Sequence, residues 1–164
     1  MRFILIDKIT SLERGKSITA IKNLTMAEEY LADHFHGFPV MPGVLMIESL
    51  VQAGAWLMRD AEDFAYSVVM LKQARATKFV NFVTPGKMLT VTAEVQEWDG
   101  ATCTFKASGT VDGTVAVSSK LTLERMNLAD RNPKLTSSDQ YRIRKARELF
   151  AQLWAAPVDS PVAT

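Results

Sequence analysis

From residue 89 to residue 123 apolar and polar positions alternate with a period of two: Leu89, Val91, Ala93, Val95, then Cys103, Phe105, Ala107, then Val115, Val117, Leu121, Leu123. That period marks strands that bury one face. Asp99-Gly100 and Asp112-Gly113 punctuate the three runs, and Asp-Gly accepts the positive φ angles of tight hairpins. A meander of antiparallel strands is therefore predicted. Two shorter β-branched runs, residues 3–9 and 17–23, flank a polar stretch at 11–16 and predict an opening hairpin. Residues 66–75 and 77–82 supply two further extended segments.

A different pattern holds over residues 43–59, where Val44, Leu45, Ile47, Leu50, Val51, Ala53, Trp56, Leu57 and Met58 put apolar groups on nearly every helical face. Such a helix is expected to be enclosed on all sides. Thr25 and Glu28 have the spacing of a capping box, which predicts a short helix over 26–31. Residues 127–136 read as a linker with a proline stop. Beyond them Ser137 or Ser138 caps a helix to about residue 155 with Ile143, Ala146, Phe150, Leu153 and Trp154 on one face. The predicted class is α+β: an antiparallel sheet of about six strands wrapped round one long buried helix. It occupies residues 1–126, with a linker and an amphipathic C-terminal helix over 127–164.

Composition narrows the function classes. The 164 residues suit one domain, and a formal charge of +1 gives no ground for a nucleic-acid partner. Cys103 is the sole cysteine, so no internal disulfide forms; a buried structural thiol and a reducing compartment are expected. The apolar run Phe3 to Ile6 is followed at once by Asp7 and Lys8, too short for a signal-peptide core or a membrane span. The expected location is the cytoplasm.

Chemistry concentrates in HFHGFPVMPGVLMIESLVQAG, residues 34–54, which opens on the two histidines of the chain. Neutral imidazole is available as a base near pH 7. Glu48 stands among Leu, Val and Ile, where desolvation penalises the charged carboxylate and favours the proton-donating form. Gly43 begins the apolar helix, where amides are unpaired and lie at the positive end of the dipole. Gln52 follows Glu48 by one turn and is placed to hydrogen-bond its carboxyl group. Gly37 is expected to let the backbone pass close to a substrate, while Pro39 and Pro42 stiffen the loop. His34-x-His36 has the form of a metal-ligand pair, but apart from Asp33 no third ligand stands at a convincing spacing, so no metal is expected.

The run His34-Phe35-x-Gly37-x-Pro39-x-x-Pro42-Gly43-Val44-Leu45-x-x-Glu48, with Gln52 beyond, resembles the signature of the 3-hydroxyacyl-acyl-carrier-protein dehydratases of fatty acid synthesis. Phe3-Ile4-Leu5-Ile6-Asp7-Lys8-Ile9, Lys78-Phe79 and Val83-Thr84-Pro85-Gly86 are similar to other stretches of that family, and the likeness covers about residues 2–126. It implies the hot-dog fold and a homodimer, able to assemble into a trimer of dimers, with two active sites at the interface. His34 of one subunit would then face Glu48 of the other as the catalytic pair. Gly43, Gly37, Phe35 and Val44 would hold the substrate, with the Gly43 N–H on the thioester oxygen. The substrate would ride on the phosphopantetheine of an acyl carrier protein, with no cofactor, and leave as the trans-2-enoyl thioester. Glutamate at 48, rather than aspartate, implies the branch that does not isomerise its product.

The chain departs from the family pattern at His36, commonly proline, and at Asp33, commonly glycine. The residues before Phe3 are not expected to form the helical segment that often precedes the first strand in the family, and the helix after residue 137 is outside the common pattern; either difference is expected to bear on the acyl tunnel or the carrier contact. Two alternatives stay open on the residues alone: a hot-dog acyl thioesterase, and a non-catalytic acyl-carrier-binding partner. The basic residues of the last helix suit a solvated face more simply than a carrier contact.

Overall fold

The computed structural model describes residues 3–35 and 37–154. Six strands form one antiparallel sheet in the order β1-β2-β4-β5-β6-β3: β1 Lys8–Glu13, β2 Ser17–Asn23, β3 Val68–Phe79, β4 Met88–Asp99, β5 Thr102–Val111 and β6 Thr114–Met126. The helices are α1 Tyr30–Asp33, α2 Gly43–Ala61 and α3 Thr136–Leu153. The sheet curls round α2, which packs on every strand except β1.

The alternation of β4 to β6 has the predicted effect. Leu89, Val91, Ala93, Cys103, Phe105, Ala107, Leu121 and Leu123 all point into the core against Leu50, Ala53, Leu57 and Met58 of α2. Asp112 and Gly113 both adopt positive φ, at 50° and 78°, and close the β5–β6 hairpin. Cys103 is buried, and desolvation, aided by the nearby Glu62 charge, pushes its thiol up to about 12.

Several elements differ from the pattern-based expectation. Residues 3–6 form no strand: Leu5 and Ile6 are buried, but the Leu5 N–H donates to the Gln52 side chain (2.9 Å) instead of a neighbouring strand, and pairing with β2 is in register only from Lys8. Residues 66–82 hold one strand, β3. Its two register shifts, at Leu71/Gln73 and Arg75/Lys78, with Ala76 at φ 49°, interrupt the period and made one strand read as two. The capping box at Thr25 does not form, because Glu28 accepts from Lys22 Nζ at 2.7 Å, and α1 begins only at Tyr30. Lys22 is 6% exposed, and an ammonium so buried needs an acid partner more than a helix start does. α3 starts at Thr136 without the expected serine cap.

α2 is not enclosed on all sides. Leu50, Ala53, Gly54 and Leu57 are buried against the sheet, whereas Val44 is 74% exposed and Ile47, Glu48 and Gln52 are half-buried. A sheet curled from one side covers one face of a helix. The opposite face meets residues 3–5 and, toward its C-terminal end, α3: Phe150 stacks at 5.9 Å from Trp56 and 5.3 Å from Phe64. Leu153 joins the core, and Ile143, Ala146 and Trp154 pack against it as the amphipathic pattern predicts. Among the described residues no helix is long and apolar enough to cross a membrane.

Candidate active site

The loop between α1 and α2 is fixed at both ends. His34 leaves α1 in extended conformation (φ −111°, ψ 111°), and Phe35 then takes φ 54°, unusual for a residue with a Cβ. Gly37 follows at φ 81°. A Cβ there would meet nothing within 4 Å among the described residues, so within the chain glycine answers a left-handed backbone. Val40 and Met41 are buried, and the Met41 N–H donates to the Val83 carbonyl at 2.8 Å. That bond ties the loop to the turn after β3 and delivers Pro42 to the N-cap of α2.

At the start of α2 the Pro42 carbonyl accepts from the amides of Leu45 (2.9 Å) and Met46 (3.1 Å). The Gly43 N–H finds no acceptor among the described residues and lies at the positive end of a nineteen-residue helix. Glycine leaves room for a ring here, since a Cβ at 43 would stand 3.0 Å from Phe79 and the ring would have to shift. His34, Phe35, Gly43 and Phe79, with Met41 and Met46, line one cavity of about 370 Å³. Around its mouth Phe38 and Phe82 meet edge to face at 5.5 Å, both more than half exposed.

Glu48 opens elsewhere. It lies one turn into α2, where its Oε1 accepts from Gln52 Nε2 at 3.0 Å, the bond its spacing predicts. Gln52 also donates to the Phe3 carbonyl at 3.1 Å and accepts from the Leu5 amide, so the N-terminal segment and the acid share one anchor. Glu48 and Gln52 line a second cavity of about 650 Å³, which follows α2 through Val51, Ala55 and Trp56 and has α3 as its far side. Within one chain, then, His34 and Gly43 share one cavity and Glu48 and Gln52 another. Val44, Gly37, Pro39 and Pro42 line neither.

One contributor has no signal in the sequence, and another, α3, is legible as a helix but not as a wall of this cavity. The Phe79 ring over Gly43 comes from the far end of β3, and only the pairing of β3 with β6 brings it there. The α3 wall of the larger cavity lies nearly a hundred residues from Glu48. Among the described residues no group of three or more His, Cys, Asp or Glu is arranged to hold a metal ion, and His36 of the considered pair lies outside them.

A family model described as a FabA-like domain matches residues 1–120. The 3-hydroxyacyl-[acyl-carrier-protein] dehydratase FabZ of Clostridium botulinum (strain Kyoto / Type A2) is 41% identical over 119 residues, 73% of this chain and 83% of the relative. The chain belongs to the FabA-like dehydratase family. Its FabZ relative from Listeria monocytogenes serotype 4b is 35% identical over the same share of both chains. Solved structures place this family member among hot-dog folds. The dehydratase heterocomplex ApeI:P of Xenorhabdus doucetiae matches with a TM-score of 0.65 at 19% identity, covering 81% of this chain and 90% of that one. The E. coli PaaI protein matches at 0.58 and 15% identity, over 73% and 79%. At these identities the structural likeness concerns the fold alone.

Proposed function

We propose that this chain dehydrates (3R)-hydroxyacyl thioesters carried on the phosphopantetheine of an acyl carrier protein, giving the trans-2-enoyl thioester and water in cytoplasmic fatty acid synthesis. The observation that carries this reading is the division of the motif residues between two cavities: base and amide donor in one, acid in the other. A second copy of the chain, set against the open face of α2, brings the Glu48 cavity of one subunit to the His34 cavity of its partner. The working unit is thus a homodimer with two equivalent sites, able to assemble further into a trimer of dimers, and residues 1–126 are its catalytic body.

The elimination needs three things. His34 removes a proton from C2. The Gly43 N–H receives the charge that grows on the thioester oxygen as the C2–H bond breaks, a contribution worth about 2.7–4 kcal/mol where such donors have been removed. Glu48 gives its proton to the C3 hydroxyl, the C3–O bond breaks, and water leaves as the C2–C3 double bond forms. Passage of the C2 proton from His34 back to Glu48, directly or through water, restores both groups. The reaction is redox-neutral and calls on no cofactor. Phe35 lines the same cavity as His34 and packs its ring 4.4 Å from the imidazole, where it shapes the acyl passage; Val44, exposed in one chain, meets substrate at the interface.

The test is to incubate the protein with a 3-hydroxyacyl-carrier substrate and follow the absorbance of the unsaturated thioester. Wild type forms enoyl product, and His34→Ala and Glu48→Gln each lower kcat by roughly 10²–10⁴. Release of free thiol instead would indicate a thioesterase, and carrier binding without turnover a non-catalytic partner; either result overturns the proposal.

A further inference from the structure

We propose that α3 is a specificity element: it walls the distal part of the acyl pocket and sets which chain lengths the enzyme accepts. The inference rests on the dehydratase reading above and concerns a helix that lies outside the residues matched by the family.

The order of atoms along the substrate gives the direction. The thioester carbonyl, C1, belongs at the Gly43 amide, and C2 at His34, both in the smaller cavity. The hydroxyl on C3 must reach Glu48, which lies in the larger one. Whatever follows C3 therefore continues past Glu48 into the cavity that Glu48 itself lines. The floor there is α2, stepping from Glu48 through Val51, Ala55 and Trp56 to Arg59. Eleven steps of helix at about 1.5 Å each make a trough roughly 16 Å long. Its opposite wall is α3, which presents Ala146 and Leu149 together with Tyr141, Arg142 and Lys145. Its apolar residues suit methylenes, whose transfer out of water is favourable. Hydroxyl and cationic groups on the same wall resist being covered by methylenes, so the wall both accepts a chain and limits it.

The position of α3 is fixed enough to act as a wall. Phe150 is clasped by Trp56 and Phe64, Leu153 is buried in the core, and Asp139 binds the first turn of α3 to residues 67, 128 and 129. Ala146 is a small residue of the α3 wall and the natural place to fill it. Leu149 is the place to empty it.

The experiment compares kcat/KM for 3-hydroxybutyryl and 3-hydroxydodecanoyl thioesters of the same carrier protein, using full-length wild type, Ala146→Trp and Leu149→Ala. The quantity read is the ratio of long to short. Ala146→Trp lowers that ratio by at least about tenfold, the scale on which an apolar pocket discriminates small differences in volume, and Leu149→Ala raises it. Opposite movements cannot come from a loosened fold or a weakened carrier contact, because those change both substrates alike. A ratio unchanged in both variants, or rates lowered equally at both lengths, overturns the inference while leaving the dehydratase reading in place. Absence of enoyl product from wild type at either length removes the dehydratase reading, and this inference with it.

Discussion

Gln52 carries three hydrogen bonds with one amide: from Leu5, to Phe3 and to Glu48. It holds the carboxyl group to one side of α2 and uses its remaining capacity to seat the residues that precede β1. Gln52→Leu, close in volume, leaves a buried peptide N–H and a carbonyl without partners. The expected cost is about 1–3 kcal/mol of stability, measured by urea unfolding. With the Glu48 carboxyl untethered, kcat falls by about tenfold or more while KM moves less, as is typical when an orienting neighbour of an active group is lost. Lower stability with an unchanged kcat would reduce Gln52 to an anchor for the N-terminal segment. At this scale the sequence was informative where the relevant contact is local. The i, i+4 bond between Glu48 and Gln52 follows from helical spacing. The tie from Gln52 to Phe3 and Leu5 does not, because nothing in either stretch announces the other. Gly37 shows the same limit from another side: glycine was foreseeable as special, but whether for room or for a left-handed φ depends on the fold around it.

Elements were readable in proportion to how strictly one face is buried. β4, β5 and β6 alternate because their inner faces meet α2 and their outer faces meet water. β3, on the sheet edge with most of its residues exposed and two register shifts, carries no such constraint and read as two pieces. α3 was found by its apolar stripe, but what fixes its first turn was not. Asp139 is only 5% exposed and accepts from the Ser67 hydroxyl and from the amides of Leu128 (3.0 Å) and Ala129 (2.8 Å), reaching back across the linker rather than capping its own helix. Burial opposes ionisation of this carboxyl, but the Ser67 bond and the two amides outweigh it and hold Asp139 below the usual carboxylate range. A depressed folded-state value contributes stability that is present above the ordinary aspartate value of about 3.9 and is lost as pH falls through the lower one. Asp139→Asn should therefore melt at a lower temperature than wild type at pH 7, and the gap should narrow as pH drops below about 4. A gap independent of pH would assign the contribution to packing or to neutral hydrogen bonds instead of the ionised carboxylate.

For the whole molecule, the single chain leaves an edge strand, an exposed helix face and a divided set of motif residues, and one arrangement answers all three. β3 presents an unpaired edge with Met70, Leu71 and Phe79 exposed, and Val80 and Phe82 continue the apolar surface beyond it. Long apolar edges are normally covered. The proposed dimer covers this one with a second copy, which also faces the open side of α2, where Val44 is uncovered and Glu48 lines its cavity. In the proposed dimer each site takes His34 from one subunit and Glu48 from the other, a dependence that mixing can expose. In a dimer of His34→Ala with Glu48→Gln, one site holds both substitutions and the other holds neither. Random exchange makes half of the dimers mixed, each with one intact site, so two inactive preparations unfolded and refolded together recover about one quarter of wild-type turnover. Refolded apart and combined without exchange, they recover none. If His34 and Glu48 served the same site from a single chain, every subunit would carry one lesion in its own site, and co-refolding would return nothing above the separate variants.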